Sequence, residues 1–224
     1  MEALIQLKDV EKIYNIGDLK VTALRKVNLE INKNDFVAIL GPSGAGKSTI
    51  VNMIGCLDIP TNGKIYLKGQ DIAQLSESEL AFIRARTTGF VFQSFNLIPT
   101  LTAIENVLLP SIFTNKHKFK KERARELLTK VELSHRTGHK PNQLSGGEKQ
   151  RVAIARSLIN DPEIIITDEP TGNLDSKTGK EIMDLFTELH KKDKKTIVIV
   201  THDMELAKIA KRRIYIKDGQ VIKN

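Results

Sequence analysis

Eight consecutive residues, Gly41-Pro42-Ser43-Gly44-Ala45-Gly46-Lys47-Ser48, supply what phosphate chemistry needs in the spacing G-x-x-x-x-G-K-[ST]. The glycines let successive backbone N–H groups turn inward around an anion. A helix starting behind them adds the positive end of its dipole, and Lys47 can reach the β- and γ-phosphates of a nucleotide. Ser48 offers a hydroxyl to Mg²⁺. So short a pattern recurs by chance, so its flanks must support it. Phe36-Val37-Ala38-Ile39-Leu40 ahead of it is an apolar run of strand length, and Ser48 to Ile54 behind it, including Thr49, reads as a buried helix. Strand, loop and helix therefore follow in the order the chemistry requires.

In an open parallel sheet, ligand-binding groups gather beyond the carboxyl ends of the strands. Besides the phosphate loop, three apolar runs end in such groups. Gly89-Phe90-Val91-Phe92 ends at Gln93, Ile164-Ile165-Ile166-Thr167 at Asp168-Glu169, and Thr196 to Val200 at Thr201-His202. Asp168 has the position of a carboxylate that holds Mg²⁺ through its water shell. Glu169, one residue on, can polarise a water in line with a γ-phosphate as a general base. Taken singly, Gln93 reads as a solvated amide and His202 as a satisfied imidazole. Leu144-Ser145-Gly146-Gly147-Glu148 opens a helix with two glycines in its first turn, a costly choice that suits a backbone approached by a ligand. The same residues also satisfy a capping box, Ser145-x-x-Glu148.

The elements that would hold these groups alternate. Leu4 to Tyr14 and Val21 to Ile31 read as an antiparallel hairpin around Asn15-Ile16-Gly17-Asp18. Lys64 to Leu67 is a short strand, and Ser76 with Glu79 caps a helix. From Ser94 strand signals stop, and Thr102 to Phe113, Phe119 to Val131 and Gly146 to Asn160 carry helical spacing. A helix from Ser176 to Lys192, with Ile182, Leu185, Phe186 and Leu189 on one face, precedes the strand Thr196–Val200. A short helix and a closing strand segment from Arg213 end the chain. The expected fold is α/β: a mainly parallel sheet (residues 1–94 and 161–224) with an N-terminal antiparallel hairpin and an inserted all-helical subdomain at 95–160.

With 224 residues and 40% hydrophobic composition, the chain fits one large domain and excludes disordered and fibrous classes. No apolar run is long enough to span a bilayer, and Glu2, Lys8 and Asp9 stand where a signal peptide would be apolar, so a cytosolic chain is expected. The single cysteine, Cys56, reads as a buried thiol. The net charge of +8 is concentrated in Lys116, Lys118, Lys120, Lys121, Arg123 and Arg125 and in Lys191, Lys192, Lys194 and Lys195. Without interleaved aromatics these runs read as solvated helix faces, or next as faces close to a membrane surface, rather than as a nucleic-acid surface.

Taken together, the motifs resemble the ATP-binding cassette of ABC transporters over nearly the whole chain. The phosphate loop, Gln93 as Q-loop residue, the LSGGE-type signature (Leu144 to Glu148), Asp168 and Glu169, a D-loop (Asn173-Leu174-Asp175) and a switch histidine (His202) stand in family order. The resemblance implies the RecA-like P-loop NTPase fold, with ATP and Mg²⁺ as ligands. Tyr14 would stack on adenine, residues 41–49, Ser145 to Glu148 and Asp175 would contact nucleotide, and Ser48, Gln93 and Asp168 would hold the metal. Gln93, Glu169, His202 and Lys47 would serve catalysis. Two departures are visible: Thr167 is polar in an otherwise apolar strand, and Gly172-Asn173 replaces the common Ser-Ala before Leu174-Asp175. Neither is expected to touch a catalytic group.

The resemblance further implies a head-to-tail homodimer, each ATP lying between the phosphate loop of one copy and Ser145, Gly146 and Gly147 of the other. A separate membrane permease would dock near residues 93–107, on the cytoplasmic face of the membrane. Residues 55–63 and 92–99 look most like the subgroup serving macrolide export, lipoprotein release and antimicrobial-peptide resistance. A regulatory cassette of the cell-division type is the alternative.

Overall fold

The computed structural model describes residues 3–114 and 120–223. The chain forms two compact units, Met1–Ala81 with Thr196–Asn224, and Phe82–Lys195.

In the first unit, β1 (Ala3–Ile16) and β2 (Leu19–Asn32) form the expected hairpin, longer than read from the pattern. Gly17, at φ 59°, opens the two-residue turn between the paired Ile16 and Leu19. Next come β3 (Phe36–Leu40), α1 (Lys47–Ile54), β4 (Asn62–Leu67) and the two-residue β5 (Gln70–Asp71). β4 pairs antiparallel with β1, and β5 with β4, so the antiparallel layer has the order β2-β1-β4-β5 rather than ending with the hairpin. α2 (Glu77–Thr87) starts behind Ser76, whose hydroxyl and backbone N–H both donate to Glu79 Oε2, at 2.7 and 2.8 Å.

The second unit holds β6 (Thr88–Phe92), α3 (Ala103–Leu108), α4 (Lys120–Lys130), α5 (Gly146–Leu158), β7 (Ile164–Asp168) and α6 (Ser176–Lys191). The helix expected over Thr102 to Phe113 is shorter. Thr102 caps α3, and beyond Leu108 the chain tightens into a 3-10 turn containing Pro110, which has no N–H to continue the ladder. Phe119, the expected start of the next helix, lies outside the described residues, as do Lys116 and Lys118. β6 and β7 run parallel, in register from Thr88↔Ile164 to Phe92↔Asp168.

The chain then closes the first unit with β8 (Thr196–Val200), α7 (Met204–Ala207), β9 (Arg212–Lys217) and β10 (Gln220–Lys223). β3 lies between β8 and β9, parallel to both, and β10 returns antiparallel along β9. All five residues of β3 and all five of β8 are buried, which is why both read as unbroken apolar runs rather than alternating ones. α1 buries Ile50, Val51, Met53 and Ile54. In α6, Ile182, Leu185, Phe186 and Leu189 are all buried, as their spacing required. Each such side chain contributes about 1.5–3 kcal/mol by leaving water. Cys56 is a buried free thiol.

The basic run after α6 corrects one expectation. Lys195 does not lie on a solvated face: its side chain is 14% exposed, donating to Asp161 Oδ1 at 2.6 Å and to Pro162 O at 2.7 Å. Lys120 likewise donates to Thr114 O at 2.8 Å.

Candidate functional site

The loop between β3 and α1 depends on glycine for close approach. A Cβ on Gly41 would stand 2.1 Å from Ile216 O, and one on Gly46, at φ +98°, 2.6 Å from Ala23 O. Lys47 Nζ donates to Gly41 O at 2.7 Å and Pro42 O at 2.8 Å, so the ammonium lies back along its own loop. Ala45 N–H donates to Pro42 O and its carbonyl accepts from Gly219, at 3.2 and 3.1 Å. α1 begins without a capping side chain and without an acidic residue in its first turn, whereas α3, α5, α6 and α7 are all capped by side chains. An uncapped helix start leaves N–H donors for an anion, which fits nucleotide phosphates on residues 41–49. Thr201 N–H donates to Ile39 O at 3.2 Å, so the exposed His202 leaves β8 at the end of the sheet where the phosphate loop leaves β3.

Tyr14 is a half-buried residue of β1. Its hydroxyl donates to Asp58 Oδ2 at 3.1 Å, and Lys12 joins the same carboxylate at 2.6 Å while its ammonium sits 5.1 Å from the Tyr14 ring centroid. Thr49 hydrogen-bonds to the phenol oxygen, and burial, the larger effect, pushes the phenol pKa above its ordinary value. Thr49 and Asp58 thus hold the ring that would carry adenine. Asp58 was not found from the sequence, because only folding brings the turn after α1 to Tyr14, while Lys12 reaches the ring from two residues before it on β1.

In the second unit, the pair Phe92↔Asp168 ends the β6–β7 ladder, so Gln93 and Glu169 leave adjacent strands at the same end. Glu169 takes φ 48°, a left-handed conformation, and its carbonyl accepts from Gly172 N–H at 3.1 Å. Strain of this kind is maintained by surrounding contacts. One such contact is the wholly buried Gln150 of α5, whose Nε2 donates to Pro170 O at 2.7 Å. The polar Thr167 is fully buried in β7, and its hydroxyl oxygen has no partner among the described residues.

Gly172 and Asn173 were expected to stay clear of the residues read as catalytic, and they meet one of them, Gln93. A Cβ on Gly172 would stand 2.7 Å from Gln93 Nε2, and Asn173 Nδ2 donates to Gln93 O at 3.0 Å. Asp175 serves as the cap of α6, accepting from Lys177 N, Thr178 N and Thr178 Oγ1 at 3.1, 3.0 and 2.6 Å. The hydrogen bond from the Thr178 hydroxyl, first among these, holds its carboxyl below the ordinary value.

At the head of α5 the capping box is made: Glu148 N–H donates to Ser145 Oγ at 3.2 Å and Ser145 N–H to Glu148 Oε2 at 2.7 Å. Arg136 Nε donates to the other oxygen at 3.0 Å. The backbone hydrogen bond from Ser145 is the main cause that lowers the Glu148 pKa. Gly147 corrects the reading of its pair. Its missing Cβ would lie 2.5 Å from Thr178 Cγ2, so packing against α6 requires it, whatever a ligand requires.

In the segment expected to meet a partner, Asn106 is wholly buried and spends its amide on Ile98 N, Ile98 O, Leu101 O and Thr102 O. Ile98 and Glu105 are exposed there. Arg156 of α5 donates to Phe95 O at 2.8 Å and to Asn96 O, across two residues with left-handed φ of 60° and 49°.

A phosphate-binding loop after β3, paired carboxylates at the end of β7 and the capped signature helix define a nucleotide-hydrolysing P-loop protein. The family model described as ABC transporter matches residues 24–172, and the chain belongs to that family. An uncharacterised ABC transporter ATP-binding protein of Methanocaldococcus jannaschii, MJ0796, is 53% identical over 97% of this chain and 95% of its own length. A macrolide export ATP-binding/permease protein, MacB of Bdellovibrio bacteriovorus, is 49% identical over 97% of this chain, which spans 33% of that protein. The MJ0796 cassette solved as a dimer in a post-hydrolysis state bound to ADP and Pi superposes with a TM-score of 0.89, at 51% identity, covering 98% of this chain and 97% of that one. The chain is therefore an ATP-binding, ATP-hydrolysing cassette. No helix among the described residues is long and apolar enough to cross a membrane.

Proposed function

We infer that the chain is one cassette of an ABC transporter that acts as a head-to-tail homodimer and powers a membrane permease on the cytoplasmic face. The relative described as a macrolide export ATP-binding/permease protein supports an export pump; a macrolide, peptide or lipoprotein cargo and a permease docked near residues 93–107 belong to the same proposal. In this reading residues 95–160 form the helical subdomain of a single nucleotide-binding domain.

The observation that carries the mechanism is the register Phe92↔Asp168, which sends Gln93 and Glu169 from adjacent strands side by side. Glu169 accepts a proton from the attacking water as its oxygen bonds to the γ-phosphorus. The bond from phosphorus to the bridging oxygen breaks, leaving ADP and phosphate. Lys47, the N–H groups of residues 41–49 and His202 stabilise the phosphate charge, and Ser145, Gly146 and Gly147 of the second copy close the site. Asp168, Ser48 and Gln93 offer a carboxylate, a hydroxyl and an amide oxygen, the hard oxygen donors that suit Mg²⁺. When bound by Ser48, Asp168 and Gln93, Mg²⁺ supplies positive charge to the β- and γ-phosphates.

Glu169→Gln tests the assignment. ATP binding persists, an ATP-bound dimer accumulates, and turnover falls by about 10²–10⁴, the range of general-base catalysis. Unchanged turnover rejects Glu169 as the base.

A further inference from the structure

Gln93 is held from behind by Gly172 and Asn173, two residues that were given no nucleotide, metal or catalytic role from the sequence. The Asn173 amide donates to the Gln93 carbonyl at 3.0 Å, and Gly172 leaves room for the Gln93 side-chain amide, whose nitrogen would be 2.7 Å from any Cβ there. Both lie in the loop that leaves β7 after Glu169. That loop is itself fixed by Gln150 on Pro170 O and by the bond from Gly172 N–H to Glu169 O. On the other side of Gln93, Arg156 holds the carbonyls of Phe95 and Asn96. The Gln93 backbone is thus tied at one end to the segment bearing Glu169 and at the other to α5.

We propose that Asn173 and Gly172 are positioning residues for Gln93: the Asn173 amide fixes its backbone and the bare Gly172 Cα sets where its side-chain amide rests. The two residues that replace Ser-Ala in this chain thereby match the placement of Gln93 to that of Glu169. The proposal rests on the reading of Gln93 as a Mg²⁺ and γ-phosphate ligand. Asn173 touches no reacting atom, so its effect must pass through Gln93.

The test measures ATP hydrolysis by the purified full chain against Mg²⁺ concentration in Asn173→Ala, Asn173→Asp, Gly172→Ser, Gln93→Ala and the double variant Gln93→Ala/Asn173→Ala. Asn173→Asp keeps the shape but sets an acceptor against the Gln93 carbonyl. Each change at 173 is expected to raise the Mg²⁺ concentration for half-maximal rate about three- to tenfold, the range that loss of one hydrogen bond gives, and Gly172→Ser, which displaces the Gln93 amide without removing a hydrogen bond, to raise it in the same direction. Thermal melting stays within a few degrees, since Gly172 and Asn173 are exposed. In the Gln93→Ala background, Asn173→Ala has no further effect beyond about twofold. Additive effects, or an unaltered Mg²⁺ dependence in Asn173→Asp and Gly172→Ser, overturn the proposal. If Gln93→Ala alone leaves the Mg²⁺ dependence unchanged, the reading of Gln93 itself fails, and the positioning role falls with it.

Discussion

At Gly147 the absent side chain serves Thr178, whose methyl group would be 2.5 Å from a Cβ. Thr178 is β-branched and its hydroxyl is committed to Asp175, so its rotamer cannot yield cheaply. Gly147→Ala is therefore expected to destabilise the chain by about 1–3 kcal/mol, the usual cost of overpacking. Adding Thr178→Ser, which keeps the hydroxyl and removes the methyl, restores most of the loss in a denaturant melt. A Gly147→Ala variant with unchanged stability would reject the packing role. The sequence made Gly147 conspicuous but not this packing demand, which comes from a residue 31 positions away. Asn173 and Arg156 were hidden for the same reason. Their partners are backbone carbonyls, which carry no residue-type signal. The phosphate loop, Asp168, Glu169 and Ser145 stood out as candidates because the chemistry proposed for them fixes both residue type and spacing.

Elements announce themselves where a local rule dominates. Ser76, Thr102 and Ser145 each precede a glutamate three residues on, and all three capping boxes form. β3 and β8 were legible as buried parallel strands from their unbroken apolar runs. Less legible were the join of β4 to β1, which depends on long-range pairing, and the end of α3, where Pro110 outweighs the helical spacing of Thr102 to Phe113. The box at α5 makes a pH prediction. Its glutamate, Glu148, has a folded pKa below the ordinary value, so its stabilisation is full above that value and is lost as pH falls through the lower, folded one. Glu148→Gln should therefore be less stable than the parent near neutrality yet lose less stability between roughly pH 6 and roughly pH 3, around the ordinary glutamate value of about 4.3. Melting curves across that range check it, and parallel slopes for the two proteins would contradict it.

Of the residues proposed to serve ATP hydrolysis, Lys47, Ser48 and His202 belong to one unit and Gln93, Asp168, Glu169 and Ser145 to the other. The solved MJ0796 cassette bound to ADP and Pi is dimeric, and in the proposed homodimer the signature helix of a second copy forms part of each ATP site. Ser145→Arg would put a long cation at that helix start. It also removes a cap worth about 1 kcal/mol, a loss that Ser145→Ala reproduces without the bulk. The most direct measurement is sedimentation of Glu169→Gln with saturating ATP, with and without Ser145→Arg, alongside ATP affinity of the monomer. The expected result is twice the chain mass for Glu169→Gln alone and for its Ser145→Ala control, the single mass once Ser145→Arg is added, and an ATP affinity altered by less than about threefold. A dimer that survives Ser145→Arg, or no dimer in Glu169→Gln at saturation, would contradict the composite site.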